Sequence, residues 1–184
     1  MITMTAIGTV EIHSIPKGIF AGDAMLKTAK VSLVYAGTVC SGKYVVVISG
    51  DVAEVSAAVA TGKKEADVSL IDSLIIPNEN DQVLTAAMAC GEIGDVDAVG
   101  VLEFYSVCSC IAAADAAVKA ANVKLIEVRL GRGLGGKSFA VLTGDVSSVK
   151  AACEAAKTCP QADGMFSDCA VIPSPHPDLV GALL

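Results

Sequence analysis

The chain has no tryptophan, 4% aromatic residues and two histidines in 184 residues. Charge is also scarce: 18% of residues carry one, and 13 lysines and arginines face 20 acids, for a net charge of −7. So few basic and aromatic side chains leave no electrostatic footprint for a phosphate backbone and few rings on which bases could stack. There is no cluster of lysine and arginine to hold the chain to an anionic bilayer. Neither nucleic acid nor a membrane is therefore expected as a partner.

Long apolar runs are missing too. A spanning helix needs about 20 apolar residues in a row. The window from Val31 to Gly50 is broken by Gly37, Ser41, Gly42 and Lys43, and the one from Ala98 to Val118 contains Glu103 and Asp115. Met1 to Glu11 has no charged start and too short an apolar run for a signal peptide, so a cytoplasmic location is expected. No phosphate-binding loop is present: the glycine-rich Gly131–Gly136 leads through Lys137 and Ser138 into a strand, not a helix. Neither His13 nor His176 has a serine or carboxylate at the spacing of a catalytic pair. The chain is not expected to be an enzyme.

What the chain has in excess is apolar surface. Apolar residues make up 53% of it, and the mean hydropathy is +0.63. With a membrane excluded, that excess points to large obligate interfaces with other proteins. The seven cysteines are odd in number, and a reducing cytosol disfavours disulfides. They are apolar fillers, metal ligands or some of each.

The sequence repeats itself. Ala6-Ile-Gly-Thr-Val-Glu11 returns as Ala98-Val-Gly-Val-Leu-Glu103, an offset of 92 that also aligns Ser14 with Ser106, Asp23 with Asp115 and Lys27 with Lys119. After a two-residue insertion, Gly42-Lys43 meets Gly136-Lys137 and Gly50-Asp51-Val52 meets Gly144-Asp145-Val146. Ile76-Pro77 later meets Ile172-Pro173. The two copies are expected to be domains, residues 1–92 and 93–184, with the acidic stretch 91–97 as linker.

Each copy reads alike. A strand carries Ile7, Val10 and Ile12, and an alanine-rich helix runs from about Gly18 to Lys30. Strands at Ser32–Val39 and Tyr44–Ser49 are joined by a short glycine-containing turn. Gly50-Asp51 opens a second helix, with Asp51 and Glu54 spaced as a capping box. A last strand from about Ser69 to Ile76 stops at Pro77, and a short helix follows. The order β-α-β-β-α-β predicts an α/β (α+β) fold of two tandem ferredoxin-like, split βαβ domains.

The motifs A-V-G-V-L-E (98–103), A-A-D-A-A-V-K-A-A-N-V (113–123), G-G-K (135–137), T-G-D-V (143–146) and V-I-P-S-P-H (171–176) resemble those of bacterial microcompartment shell domains. The likeness covers nearly the whole chain. It departs at the end of the first copy, where Ile76-Pro77-Asn78-Glu79 replaces the I-P-x-P-H pattern. The resemblance implies a structural protein of a compartment shell in the bacterial cytoplasm, with other shell proteins as partners. Single-copy members form hexamers that tile into sheets, and tandem members form homotrimers with the same six-lobed, pseudohexameric outline.

The resemblance also assigns places. The loop Thr38–Lys43 with Cys40, Ser41 and Gly42, and its second-copy counterpart with Arg132, Gly133 and Leu134, would line the central pore. Lys27, Lys119 and His176 would lie at the tile edge. A tandem member with a cysteine in this first-copy loop is understood to bind a [4Fe–4S] cluster, which implies that Cys40 of three chains holds one here, with amides of Ser41, Gly42 and Lys43 tuning it. Electron transfer or cluster delivery to an encapsulated or cytosolic redox protein would follow.

The residues by themselves leave Cys40 open. Such clusters need several thiolates, usually packed in one short motif, and no C-x-x-C-x-x-C is present. Zinc on three thiolates, or no metal beside an open pore for small metabolites, are the alternatives. Arg132 and Lys137 read equally as pore cations and as solvated turn residues. Cys108, Cys110, Cys153 and Cys169 read as packing, and Cys90 and Cys159 are assigned nothing.

Overall fold

A computed structural model of the chain describes residues 6–88 and 94–183. Both copies build one series of elements. The first contains β1 (Ala6–Ile12), α1 (Ile15–Thr28), β2 (Ser32–Val39), β3 (Lys43–Gly50), α2 (Val52–Ala66), β4 (Leu70–Pro77) and α3 (Asp81–Ala87). The second contains β5 (Ala98–Phe104), α4 (Val107–Ala120), β6 (Lys124–Arg129), β7 (Ser138–Gly144), α5 (Val146–Lys157), β8 (Phe166–Ile172) and α6 (Pro177–Leu183). Each makes a four-stranded antiparallel sheet, ordered β2-β3-β1-β4 and β6-β7-β5-β8. The predicted fold class is what the structure contains. Among the described residues no helix is long and apolar enough to cross a membrane.

The register repeats as faithfully as the sequence. Glu11 lies opposite Val45 and Asp72, and Glu103 lies opposite Phe139 and Asp168. The glycine of the repeated A-x-G is a packing residue. A Cβ on Gly8 would lie 2.5 Å from Val59 on α2, and one on Gly100 would lie 2.8 Å from Cys153 on α5. Both are closer than real Cβ atoms come, so a strand can meet its helix this tightly only with glycine there.

Several boundaries differ from those read in the sequence. Helix α1 starts three residues before Gly18, because Ser14 caps it by accepting the amide of Lys17, and Pro16 needs no amide partner in a first turn. Pro77 ends β4 from within, as an edge strand allows. The capping box at Asp51 does not form. Asp51 makes no side-chain cap, and the Glu54 carboxylate accepts the Lys30 amide at 2.9 Å instead. Asp145, its counterpart, does cap: it accepts the Ser148 amide at 2.9 Å. The hydroxyls of Ser147 and Ser148, with that amide, hold its carboxyl well below the usual carboxylate range.

Close packing divides the chain into two units that are not the two copies. One takes the chain to Glu79 together with Ser106–Cys108 and Gly131–Gly136. The other takes Asn80–Tyr105, Ser109–Leu130 and the chain from Lys137. The expected boundary between residues 92 and 93 touches residues outside those described. The core of the first unit lies between its sheet and helices, with Val10, Ile12, Met25, Ile48, Val55 and Val59.

Beside that core is a buried polar cluster. The Glu11 side chain has no exposed surface, and it accepts from Lys43 Nζ at 2.8 Å. Its other oxygen accepts the Ser106 hydroxyl at 3.0 Å and the Val107 amide at 2.8 Å. Ser106 Oγ also stands 2.5 Å from Asp72 Oδ2, so its one proton is shared between the two carboxylates. Within the second unit, the Asn80 amide donates to Asp115 Oδ1 at 3.0 Å and the Leu125 amide to Gln82 Oε1 at 3.1 Å, which seats α3 on β6.

The cysteines expected to pack mostly do so. Cys108, Cys110 and Cys153 are buried. Cys169 corrects the expectation: β8 is an edge strand, which leaves this side chain only half-buried. Cys159 is buried and donates to Gln161 Oε1 at 3.3 Å. Cys90 lies outside the described residues.

Two stability measurements check this account. Glu11→Ala removes the carboxylate from a nearly buried ion pair and leaves the Val107 amide without its acceptor, so urea unfolding should show a loss of about 3–5 kcal/mol. Asp145→Ala should lower the unfolding midpoint more than Asp51→Ala. Because the folded-state pKa of Asp145 is depressed, its contribution is present above the ordinary carboxylate pKa. The gap between the two variants should therefore close as the pH falls through the folded value.

Candidate functional site

The turn between β2 and β3 carries Cys40, Ser41 and Gly42. It is short because β2 and β3 pair directly up to Val39 opposite Lys43. The glycine loop Gly131–Gly136, in the same unit, lies against it. The Cys40 amide donates to the Gly131 carbonyl at 2.9 Å, and the Gly133 amide donates to Cys40 Sγ at 3.1 Å. Lys43 Nζ donates to the Gly136 carbonyl at 3.3 Å, from the same ammonium that meets Glu11.

The loop needs its glycines. Gly131, Gly133, Gly135 and Gly136 have φ of +74°, +74°, +61° and +94°, a region that other residues enter only with strain. Four left-handed residues in six turn the backbone so that one carbonyl and one amide both aim at Cys40.

Arg132 projects from this loop and is anchored. Its Nη2 and Nε donate to the Tyr35 hydroxyl at 2.9 and 3.2 Å, and the guanidinium carbon stands 5.5 Å from the Tyr35 ring centroid. Beside the half-buried thiol there is thus a fixed positive charge. Ser41, Gly42 and Gly133 are exposed and Leu134 is partly so. Lys137 does not join this loop. It begins the run into β7, pairs with Glu103 at 2.7 Å and stands 5.8 Å from the Tyr105 ring centroid, all within the second unit.

An amide aimed at a cysteine sulfur orients it and tunes it as a metal ligand. Among the described residues, no three His, Cys, Asp or Glu side chains converge as a metal site. One chain therefore offers one cysteine sulfur here, and a metal group that takes several would need further copies of the chain. The amide that reaches the sulfur is that of Gly133. Sequence reasoning placed Gly133 by the pore without assigning its amide to Cys40; the amides of Ser41, Gly42 and Lys43 were expected at the sulfurs of a bound cluster. It missed Tyr35, whose only signal was a tyrosine two residues before Gly37 on an alternating strand.

The three expected edge residues lie apart from this loop. Lys27 pairs with Asp23 at 2.6 Å and Lys119 with Asp115 at 2.6 Å, both one turn along their helices. His176 is exposed, and its Nδ1 accepts the Asp178 amide at 3.2 Å, which caps α6.

Comparison with known proteins gives a consistent picture. The BMC domain family model matches twice, over residues 6–79 and 98–175. The bacterial microcompartment shell protein PduT of Citrobacter freundii is 45% identical over 171 residues, 93% of each chain. The carboxysome assembly protein CcmO of Synechococcus elongatus is 31% identical over 97% of this chain and 68% of its own length. The crystal structure of a microcompartment protein from Desulfitobacterium hafniense superposes with a TM-score of 0.88 at 48% identity, covering 97% of this chain and 99% of that one. A fused permuted hexameric shell protein shares the fold alone, with a TM-score of 0.62 at 21% identity.

The thiols differ in access, and alkylation should reveal it. Burial raises the thiol pKa of Cys108 and Cys110 well above its ordinary value. Brief iodoacetamide treatment near neutral pH, followed by peptide mapping, should label Cys40 and leave Cys108 and Cys110 unmodified until the protein is unfolded.

Proposed function

The chain belongs to the BMC-domain family of bacterial microcompartment shell proteins, and from that premise we propose that it is a structural tile that assembles as a homotrimer, with three Cys40 loops around a central pore. The observation that carries this reading is the tandem match along nearly the whole chain, with PduT of Citrobacter freundii similar over 93% of both sequences. Two copies per chain make a trimer six-lobed, the outline that single-copy hexamers of the family present. Its place would be a compartment shell in the bacterial cytoplasm, among other shell proteins. The relatives it resembles are shell and assembly proteins, and that likeness supports a structural role.

The finer part of the proposal is a [4Fe–4S] cluster held by Cys40 of three chains. The chemistry of the donor fits in kind. Cys40 is a thiol in a turn, half-buried, with the Gly133 amide already directed at its sulfur. Ferredoxin clusters take thiolate ligands and are tuned by hydrogen bonds to sulfur. A bound cluster supplies one-electron exchange, which suits electron transfer across the shell or delivery of the cluster to a partner redox protein. The chain's own residues hold the turn, supply the amide and place the Arg132 charge nearby. That fixed cation also favours a second reading, a cluster-free pore through which small anionic metabolites pass. Zinc is the rival metal for three thiolates.

Anaerobic iron, sulfide and zinc analysis with EPR before and after dithionite distinguishes these. We expect about four irons and four sulfides per trimer, lost in Cys40→Ala with the trimer intact. A reconstituted wild type without iron would leave the open pore, and zinc in its place would assign the other metal.

A further inference from the structure

We propose that Glu103, Lys137 and Asp168 form a socket for the first turn of α1 from a second copy of this chain. The inference deepens, and rests on, the self-assembly of chains proposed above. It specifies which surfaces meet and which atoms join them.

The evidence is a socket that occurs twice and is filled once. In the first unit Glu11, Lys43 and Asp72 grip Ser106 and Val107 at the start of α4, with a side-chain exposure of 0% for Glu11 and 13% for Lys43. The second unit repeats the same three residues in the same register. Lys137 meets Glu103 at 2.7 Å, as Lys43 meets Glu11 at 2.8 Å. Asp168 Oδ1 accepts the amide of its own neighbour Cys169 at 2.8 Å, as Asp72 Oδ1 accepts that of Ser73 at 2.8 Å. Glu103 Oε2 takes both Lys137 and the Ser167 hydroxyl, the latter at 2.9 Å, yet the socket is open to solvent: Glu103 is 34% exposed, Lys137 39%, and Asp168 lies on the surface. A shallow groove lined by Val101, Glu103, Asp168, Cys169 and Ala170 runs along it.

The plug is likewise made twice and used once. Behind Ser106, the helix α4 buries Val107, Ile111 and Ala112 to 2%, 2% and 5% exposure. Their counterparts on α1 are Ile15, Ile19 and Phe20, and these are 37%, 55% and 60% exposed. Ser14 stands where Ser106 stands. Ser14 and Ile15 thus lack the acidic partners that Ser106 and Val107 have. The open socket lacks such a helix. The fit joins carboxylates to a hydroxyl and to the amides of a helix N-terminus, a favourable pairing of charge with dipole.

A second pair of surfaces, in other elements, points to the same occupant. Helix α3 seats Val83 on β6 over Leu125, at 0% and 7% exposure, and its preceding Asn80 bonds Asp115. The matching residues are Leu179 on α6, Leu33 on β2 and Asp23 on α1. Leu179 is 45% and Leu33 50% exposed, and the Asp23 side chain is 56% exposed. Each chain therefore presents one free plug and one open socket, twice over. The occupant is another copy of the same chain, in a head-to-tail contact of the kind that builds a ring where its rotation closes.

The test is sedimentation velocity over a dilution series of the full chain. We expect a wild-type trimer and, in Glu103→Gln with Asp168→Asn, dissociation at about tenfold higher concentration or more. Ser14→Ala should weaken assembly alone but add little to that double variant, because partners in one contact are not additive. Far-UV circular dichroism checks folding. If the double variant is unfolded, Ile19→Glu, on a face the single chain leaves exposed, should dissociate the trimer without loss of structure. A trimer as tight as wild type in these variants, or fully additive effects of Ser14→Ala, would overturn the socket. A wild type that stays monomeric at all concentrations would overturn the self-assembly reading itself.

Discussion

A carboxylate with no exposed surface organises the first unit. Unpaired, Glu11 would cost several kcal/mol to bury. The fold meets that cost by converging Lys43, the Ser106 hydroxyl and the Val107 amide on its two oxygens. The consequence reaches the candidate site. Lys43 is the first residue of β3, directly after the turn with Cys40, so pairing Glu11 fixes the base of that turn. The same ammonium bonds Gly136, at the end of the loop whose Gly131 carbonyl and Gly133 amide hold Cys40. Bonded steps thus run from a buried strand residue to an accessible thiol, and the loop position follows from the core.

Divergence of the two copies at this loop has a chemical meaning. The first copy supplies the sulfur on a turn of ordinary length. The second, two residues longer, supplies four glycines in left-handed conformation and, from their backbone, the donor to that sulfur. A single-copy chain repeated identically would carry either six thiols or six glycine loops around a pore. Fusing unlike halves puts one cysteine sulfur and one glycine loop that donates to it in each chain, and places Arg132 on Tyr35.

Most of the fold was legible because repetition made each element testable against its twin. The offset of 92 located strands and helices, and the structure keeps even the bulges after Glu11 and Glu103. What was not legible depended on contacts between distant residues. Asp51 and Asp145 sit in the same motif, but Lys30 competes for Glu54 in one copy while Ser147 and Ser148 serve Asp145 in the other. Lys137 looked like a loop cation because its neighbours are glycines, yet strand register delivers it to Glu103. Cys169 has a core-like sequence context, and only the strand order reveals that β8 is an edge. The Tyr35–Arg132 contact joins residues 97 apart, beyond any local pattern. Cys40 was legible as a position, but its hydrogen-bond partner was not.

Composition and structure meet in the exposed apolar residues. The chain is 53% apolar, no helix among the described residues is long and apolar enough to cross a membrane, and several of its large apolar side chains lie on the surface. Ile19, Phe20, Leu33 and Leu179 are exposed, while the residues at the same positions of the other copy, Ile111, Ala112, Leu125 and Val83, are buried. Scattered surface hydrophobics need no explanation. These are not scattered: each stands at a position that is buried in the other copy. Duplication built two sets of complementary surfaces into one polypeptide, and linking the copies satisfied one set. The hydropathy that first set this sequence apart is therefore the trace of an interface designed by repetition, and it is the acidic socket, not the apolar area, that gives the interface its register.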